Sequence, residues 1–194
     1  YDRTLSLPED ALVISIRSGD IFAKPHAFYH QPPLVWYQLC VENFREHYPD
    51  APVILVYEDL RNPCIEALRQ WCVAKGIAVS TQSTTLYDDY SYLMNAKFLV
   101  EPVGTFSLPA KELNTRLQVV YTYKDEYTDD KYYIARGQWK ASPEQIALMT
   151  QLDAKHLRVP PNLFELASAG VGQRRSCQAT VNLGRRKGGE PGGM

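Results

Sequence analysis

Residues 53–57, Val-Ile-Leu-Val-Tyr, form an unbroken apolar run. An alternating strand leaves one face to water. This run leaves neither, so it requires cover on both faces, as in parallel sheets wrapped by helices. Its surroundings fit. Pro33 precedes a segment, 34–48, that sets Leu34, Tyr37, Val41, Phe44 and Tyr48 at helical spacing, and Pro49 and Pro52 close it. Asn62-Pro63 opens a second helix carrying Ile65, Leu68, Trp71, Cys72 and Val73 on one stripe, and Gly76 stands where a left-handed terminator belongs.

The rest of the chain extends the alternation. Residues 11–16 (A-L-V-I-S-I) read as a buried first strand ending at a polar turn with Gly19. A brief third strand is predicted at 77–79, a polar link at 80–85, a helix at 86–96 and a strand at 98–100. A turn at 102–107, a helix at 109–114 and a strand at 117–123 follow. Strands alternating with helices through short links predict an α/β domain: a Rossmann-like parallel sheet of about five strands, flanked by helices, with right-handed crossovers. Residues 124–140 are charged and tyrosine-rich, and Ser142-Pro143-Glu144 caps a helix to about residue 152, expected to pack at the domain's edge. Beyond Pro160-Pro161 the composition changes. Residues 168–194 hold seven of the eleven glycines and five Arg or Lys against one Glu. The domain is therefore expected over 1–165, with 166–194 a disordered Gly/Arg-rich tail.

Composition narrows the function classes. With 45% apolar and 22% charged residues this is a packed globular chain, and a formal net charge of -1 supplies no general field for nucleic acid or an anionic membrane. Any anion site must be local. The four cysteines form no C-x-x-C pair and are not spaced with the four histidines as zinc ligands, so no metal site is expected. Cys40, Cys64 and Cys72 read as small buried hydrophobes. No apolar run approaches the ~18 residues that span a bilayer. The opening Tyr-Asp-Arg-Thr is neither a start methionine nor a signal peptide, so a piece of a longer protein is expected.

In doubly wound sheets ligands sit beyond the carboxyl ends of the strands. After the first strand comes Arg17-Ser18-Gly19-Asp20, a charged residue directly following a buried strand, with a glycine that permits close backbone approach. Arg17 there can grip phosphate oxygens and offset the charge of a diphosphate leaving group; it can equally pair with Asp20 and brace the turn. After the fourth strand comes Gly104-Thr105-Phe106-Ser107, whose backbone N–H groups and hydroxyls suit an anion cradle and whose Phe106 can pack on a base or ribose. The same turn also suits a plain helix cap. Asp89 can accept from a guanine's N1 and N2 donors or simply favour a helix start. His26, in the loop downstream, is either a general base or a solvated side chain.

The string I-R-S-G-D-I-F at 16–22, with His26, Tyr29 and Q-P-P-L at 31–34, resembles the H-x-R-x-G-D motif of GDP-fucose-dependent fucosyltransferases. That motif opens the donor-binding, C-terminal half of a two-Rossmann (GT-B) enzyme. The family's later motif, a small residue, Ser or Thr, then Phe before a helix, is similar to residues 104–107, and its guanine-reading acid lines up with Asp89. The likeness covers roughly residues 12–120, with three motifs in order. By resemblance Arg17 takes the β-phosphate. The donor-binding set is then Arg17, Gly19, Asp20, Asp89, Gly104, Thr105, Phe106 and Ser107, with Arg17 and His26 as catalytic candidates. The sequence departs from the family where its first-motif histidine falls on Ser15.

The resemblance implies metal-independent, inverting transfer of fucose from GDP-fucose, or another nucleotide sugar, to a glycan or protein hydroxyl, with no cofactor. The chain contains no D-x-D, the usual metal-holding pattern of the other major transferase architecture. It also implies an acceptor-binding half lying upstream of this chain, and a Golgi or endoplasmic reticulum lumen for a eukaryotic protein or the cytoplasm for a bacterial one. Ser15 points to the alternative, a non-catalytic nucleotide- or carbohydrate-binding module. A purely structural α/β domain is the third reading.

Overall fold

The computed structural model describes residues 7–23, 31–101, 104, 106–123, 139–157 and 165–166. Its elements are β1 (Leu12–Ser15), α1 (Asp20–Ala23), α2 (Leu34–His47), β2 (Val53–Val56), α3 (Pro63–Ala74), β3 (Val79–Gln82), α4 (Leu86–Asn95), β4 (Phe98–Glu101), α5 (Ser107–Leu113), β5 (Val119–Thr122), α6 (Pro143–Thr150) and β6 (Glu165–Leu166). The sheet runs β3-β2-β1-β4-β5-β6. The first five strands are mutually parallel, and β6 pairs antiparallel with β5. This is the expected α/β architecture of a five-stranded parallel sheet between helices. The sixth strand was not foreseen. Its two residues straddle the boundary expected at 165/166, and the tail from 167 onward lies outside the described residues.

Period-two alternation sorts β1, β2, β4 and β5 onto both helical layers. Leu12, Ile14, Val53, Leu55, Phe98, Val100, Val119 and Tyr121 pack in one core with Trp36, Tyr37, Phe44, Ile65 and Leu68 from α2 and α3. Val13, Ile54, Val56, Leu99 and Val120 pack in a second core with Leu93 of α4 and Ala110 of α5. Burying both faces is what the apolar run at 53–57 demanded, and each fully buried Leu, Ile or Val stabilises the fold by about 1.5–3 kcal/mol. Helix starts match their caps. Asn62 accepts from the Cys64 N–H, Thr85 from the Asp88 N–H, and Ser142 forms a reciprocal box with Gln145. Gly76 ends α3 with φ +68°. α6 packs on α3 and α2. Cys40, Cys64 and Cys72 are buried free thiols, as read from sequence, and burial pushes the Cys72 thiol up to about 11. Among the described residues no helix is long and apolar enough to cross a membrane.

Three boundaries moved. β3 lies at Val79–Gln82 rather than 77–79, because it is an edge strand whose exposed Ser80 and Thr81 look like a linker. α5 begins at Ser107, two residues before Pro109, since a proline in the first turn removes an N–H that has no helical partner there. The short α1 occupies part of what the sequence suggested was loop.

Candidate functional site

The chain builds β1, β2 and β3 outward in one direction, then crosses back to β4 on the other side of β1. Diverging connections at that point leave an opening above the carboxyl ends of β1 and β4. A cleft of about 330 Å³ lies there, within the range of small-molecule sites. Its walls come from four places: Ser15 to Ser18 at the end of β1 and just after it, Val56 to Glu58 at the end of β2 and just after it, Ser83, Thr84, Leu86 and Asp89 around the start of α4, and Gly104, Phe106 and Ser107 after β4.

The β1 loop is fastened to the loop after β2. The Ser18 hydroxyl donates to Asp59 Oδ1 (2.6 Å), and the N–H groups of Gly19 and Arg61 donate to the same oxygen (3.2 and 3.0 Å). Asn62 donates through Nδ2 to the Arg17 carbonyl (2.9 Å), and its N–H donates to Ser18 Oγ (3.1 Å). Burial works against the Asp59 charge, but hydrogen bonds from Ser18, Arg61 and Gly19, with the Arg61 cation beside it, outweigh burial and hold its carboxyl below the usual range. A depressed carboxyl contributes stability above its unfolded pKa and loses it as pH falls through the folded value. Wild type is therefore expected to exceed Asp59→Asn in stability at pH 7. In urea titrations at pH 7, 5 and 3 the gap should narrow below about pH 4; a gap that stays constant to pH 3 would remove Asp59 as the charged anchor.

Gly19 takes φ +66°, and a Cβ there would lie 1.9 Å from Glu58 Oε2. Backbone and neighbour both call for glycine, whose role is to shape the turn. Arg17 is partly exposed, and its Nη2 donates to Asp20 Oδ1 at 2.7 Å. The structure thus shows the bracing pair. Its remaining guanidinium N–H groups have no partner among the described residues, and its stem runs beside Gly104, 3.7 Å from where a Cβ would stand. The two sequence-distant loops meet at this contact.

On the far wall, Asp89 is buried in the first turn of α4 and accepts at Oδ1 from Gln82 Nε2 (3.0 Å) and the Thr84 N–H (3.3 Å). Its second oxygen has no partner among the described residues. Phe106 meets Tyr90 edge-to-face, 5.6 Å between ring centres. Ser107 differs from the cradle expectation. Its hydroxyl donates to Glu101 Oε1 (3.3 Å), a buried carboxylate that also pairs with Lys111 Nζ (2.9 Å) and accepts from Thr122 (3.3 Å). With its proton engaged behind the cleft, the Ser107 hydroxyl offers the cleft an acceptor and no donor, and α5 has only seven residues to support a dipole.

Of the residues singled out in the sequence, Arg17, Asp89, Gly104, Phe106 and Ser107 line one cleft. Gly19 and Asp20 shape and hold the Arg17 turn from outside its described lining. His26 and Thr105 lie outside the described residues. Ser15, where the motif histidine would fall, is a buried strand residue on the cleft floor. Glu58, Ser83 and Thr84 were missed. The signal available for Glu58 was an acid directly after the apolar run at 53–57. Among the described residues no group of three or more His, Cys, Asp or Glu is placed to hold a metal ion.

Fold and cleft together define a Rossmann-like α/β domain with a ligand-sized opening at its switch point. No family model, curated protein or solved structure matches the chain.

Proposed function

We propose that the cleft binds the nucleoside diphosphate of a sugar donor, and that the domain is the donor half of a glycosyl-transferring enzyme. The observation that carries this reading is the convergence of the loops after β1 and β4 on one opening, with the Arg17 stem against Gly104. The opening is also polar in a useful sense. Arg17 is the one cation in its described lining, on the β1 side, while the carboxylates of Glu58 and Asp89 stand on the β2 and α4 side. Phosphates suit the first wall; hydroxyl and ring N–H donors suit the second.

In this reading the diphosphate takes the unused guanidinium N–H groups of Arg17, which offset the charge that grows on it as the glycosyl bond breaks. Asp89 accepts from a base N–H, which fits guanine, and Phe106 packs on the nucleoside. GDP-fucose is the donor that the sequence resemblance suggests, and a glycan or protein hydroxyl the acceptor, with inversion at the anomeric carbon. A second reading, a nucleotide- or carbohydrate-binding module without turnover, is favoured by Ser15, a buried hydroxyl where the motif has histidine.

Calorimetric titration of GDP into the chain, with UDP as control, tests the binding step. GDP binding without UDP binding is expected. A folded chain that takes neither would overturn the nucleotide reading.

A further inference from the structure

Two acids follow β2, and they are used differently. Asp59 is taken up by the β1 turn, as described above. The neighbouring Glu58 carboxylate has no hydrogen-bond or ion-pair partner among the described residues, although its main-chain carbonyl is fixed by the Ser83 hydroxyl at 3.2 Å. It lies over Gly19, whose missing side chain makes the room for it, and it lines the cleft.

Register sets Glu58 against Arg17. Ser15 pairs with Val56 at the end of the parallel ladder, so Arg17 and Glu58 each stand two residues past that pair, in the loops that leave two adjacent strands. Adjacent strands are roughly 5 Å apart, which is about the distance from a nucleotide's α-phosphate to its ribose hydroxyls. A diphosphate on Arg17 that points its base toward Asp89 therefore brings its ribose over the end of β2. A carboxylate accepts two hydrogen bonds side by side and donates none, which matches a vicinal diol.

We propose that Glu58 accepts hydrogen bonds from the 2′- and 3′-hydroxyls of the bound ribose and makes the cleft selective for ribonucleotides over their deoxy counterparts. The inference rests on the nucleotide reading above. It also explains why a site for a polyanion keeps an unneutralised acid: the charge faces the hydroxyl-bearing part of the ligand, and it would repel a 2′-phosphorylated nucleotide.

The test compares GDP with 2′,3′-dideoxy-GDP by calorimetry, in wild type and in Glu58→Ala. Glu58 is exposed, so the substitution should leave the fold intact, which circular dichroism checks. Wild type is expected to prefer GDP by on the order of 10-fold, the usual effect of losing hydrogen bonds to a charged acceptor. In the variant the ratio should fall to about one. Using the ratio removes any general change in affinity from deleting a negative charge beside a diphosphate. An equal preference in the two proteins, or no preference in wild type, would overturn the role of Glu58 and leave the nucleotide reading standing. Failure of GDP itself to bind folded wild type would overturn both.

Discussion

Lys111→Met is expected to destabilise the domain by about 3 kcal/mol, one of the largest effects of any single substitution near the cleft. Lys111 Nζ lies 2.9 Å from Glu101 Oε2, and the Glu101 side chain is only 4% exposed. Removing the cation leaves a carboxylate at the end of β4 with two hydroxyl donors, Ser107 and Thr122, each at 3.3 Å. Breaking a buried pair from one side typically costs 3–5 kcal/mol, because the remaining charge stays desolvated. Lys111 keeps 20% of its side chain in solvent, which places the effect at the low end. Guanidinium unfolding measures it, and the double variant Glu101→Gln/Lys111→Met should recover most of the loss by removing the stranded charge. A loss below about 1 kcal/mol would mean that the pair behaves as a surface bridge. Because Ser107 bonds to Glu101, the single variant should also loosen the β4 wall of the cleft.

The parts of this fold that the sequence revealed are those where burial and periodicity agree. β1, β2, β4 and β5 each hold three or more consecutive apolar residues because both faces are covered, α2 carries an apolar stripe, and α3 and α4 add side-chain caps. β3 was misplaced because an edge strand can afford the polar Ser80 and Thr81. β6 gave no signal because two residues pair antiparallel with β5 far along the chain, past Pro160-Pro161, where no period can be read. At the site, the strand-end rule pointed to Arg17, Gly104, Phe106 and Ser107, and these four line one opening. The roles of Glu58, Asp59 and Glu101 were not legible. Each depends on which strands lie side by side, and the order β3-β2-β1-β4-β5 is a property of the tertiary fold. Ser107 shows the limit at the level of single atoms, since its residue type suited an anion cradle and its proton points at Glu101.

Arg17→Ala is expected to weaken GDP binding by about 2 kcal/mol, roughly 30-fold, as for a lost charge-assisted contact. The competing demand on Arg17 is its pair with Asp20, and magnitudes decide between them. Asp20 is 56% exposed and three residues away in the chain, so that pair contributes no more than about 1 kcal/mol. A diphosphate brings more charge and can use the guanidinium N–H groups that Asp20 leaves unused, so the ligand should win the contest and Asp20 should turn to solvent. Asp20→Asn separates the two roles. If Arg17 grips phosphate, neutralising its rival leaves GDP binding unchanged or tighter, and Arg17→Ala changes unfolding stability by less than 1 kcal/mol while affinity drops. If Arg17 is only a brace, Arg17→Ala leaves GDP affinity as it was, and the phosphate must be held elsewhere in the cleft, where among the described lining residues no other cation stands.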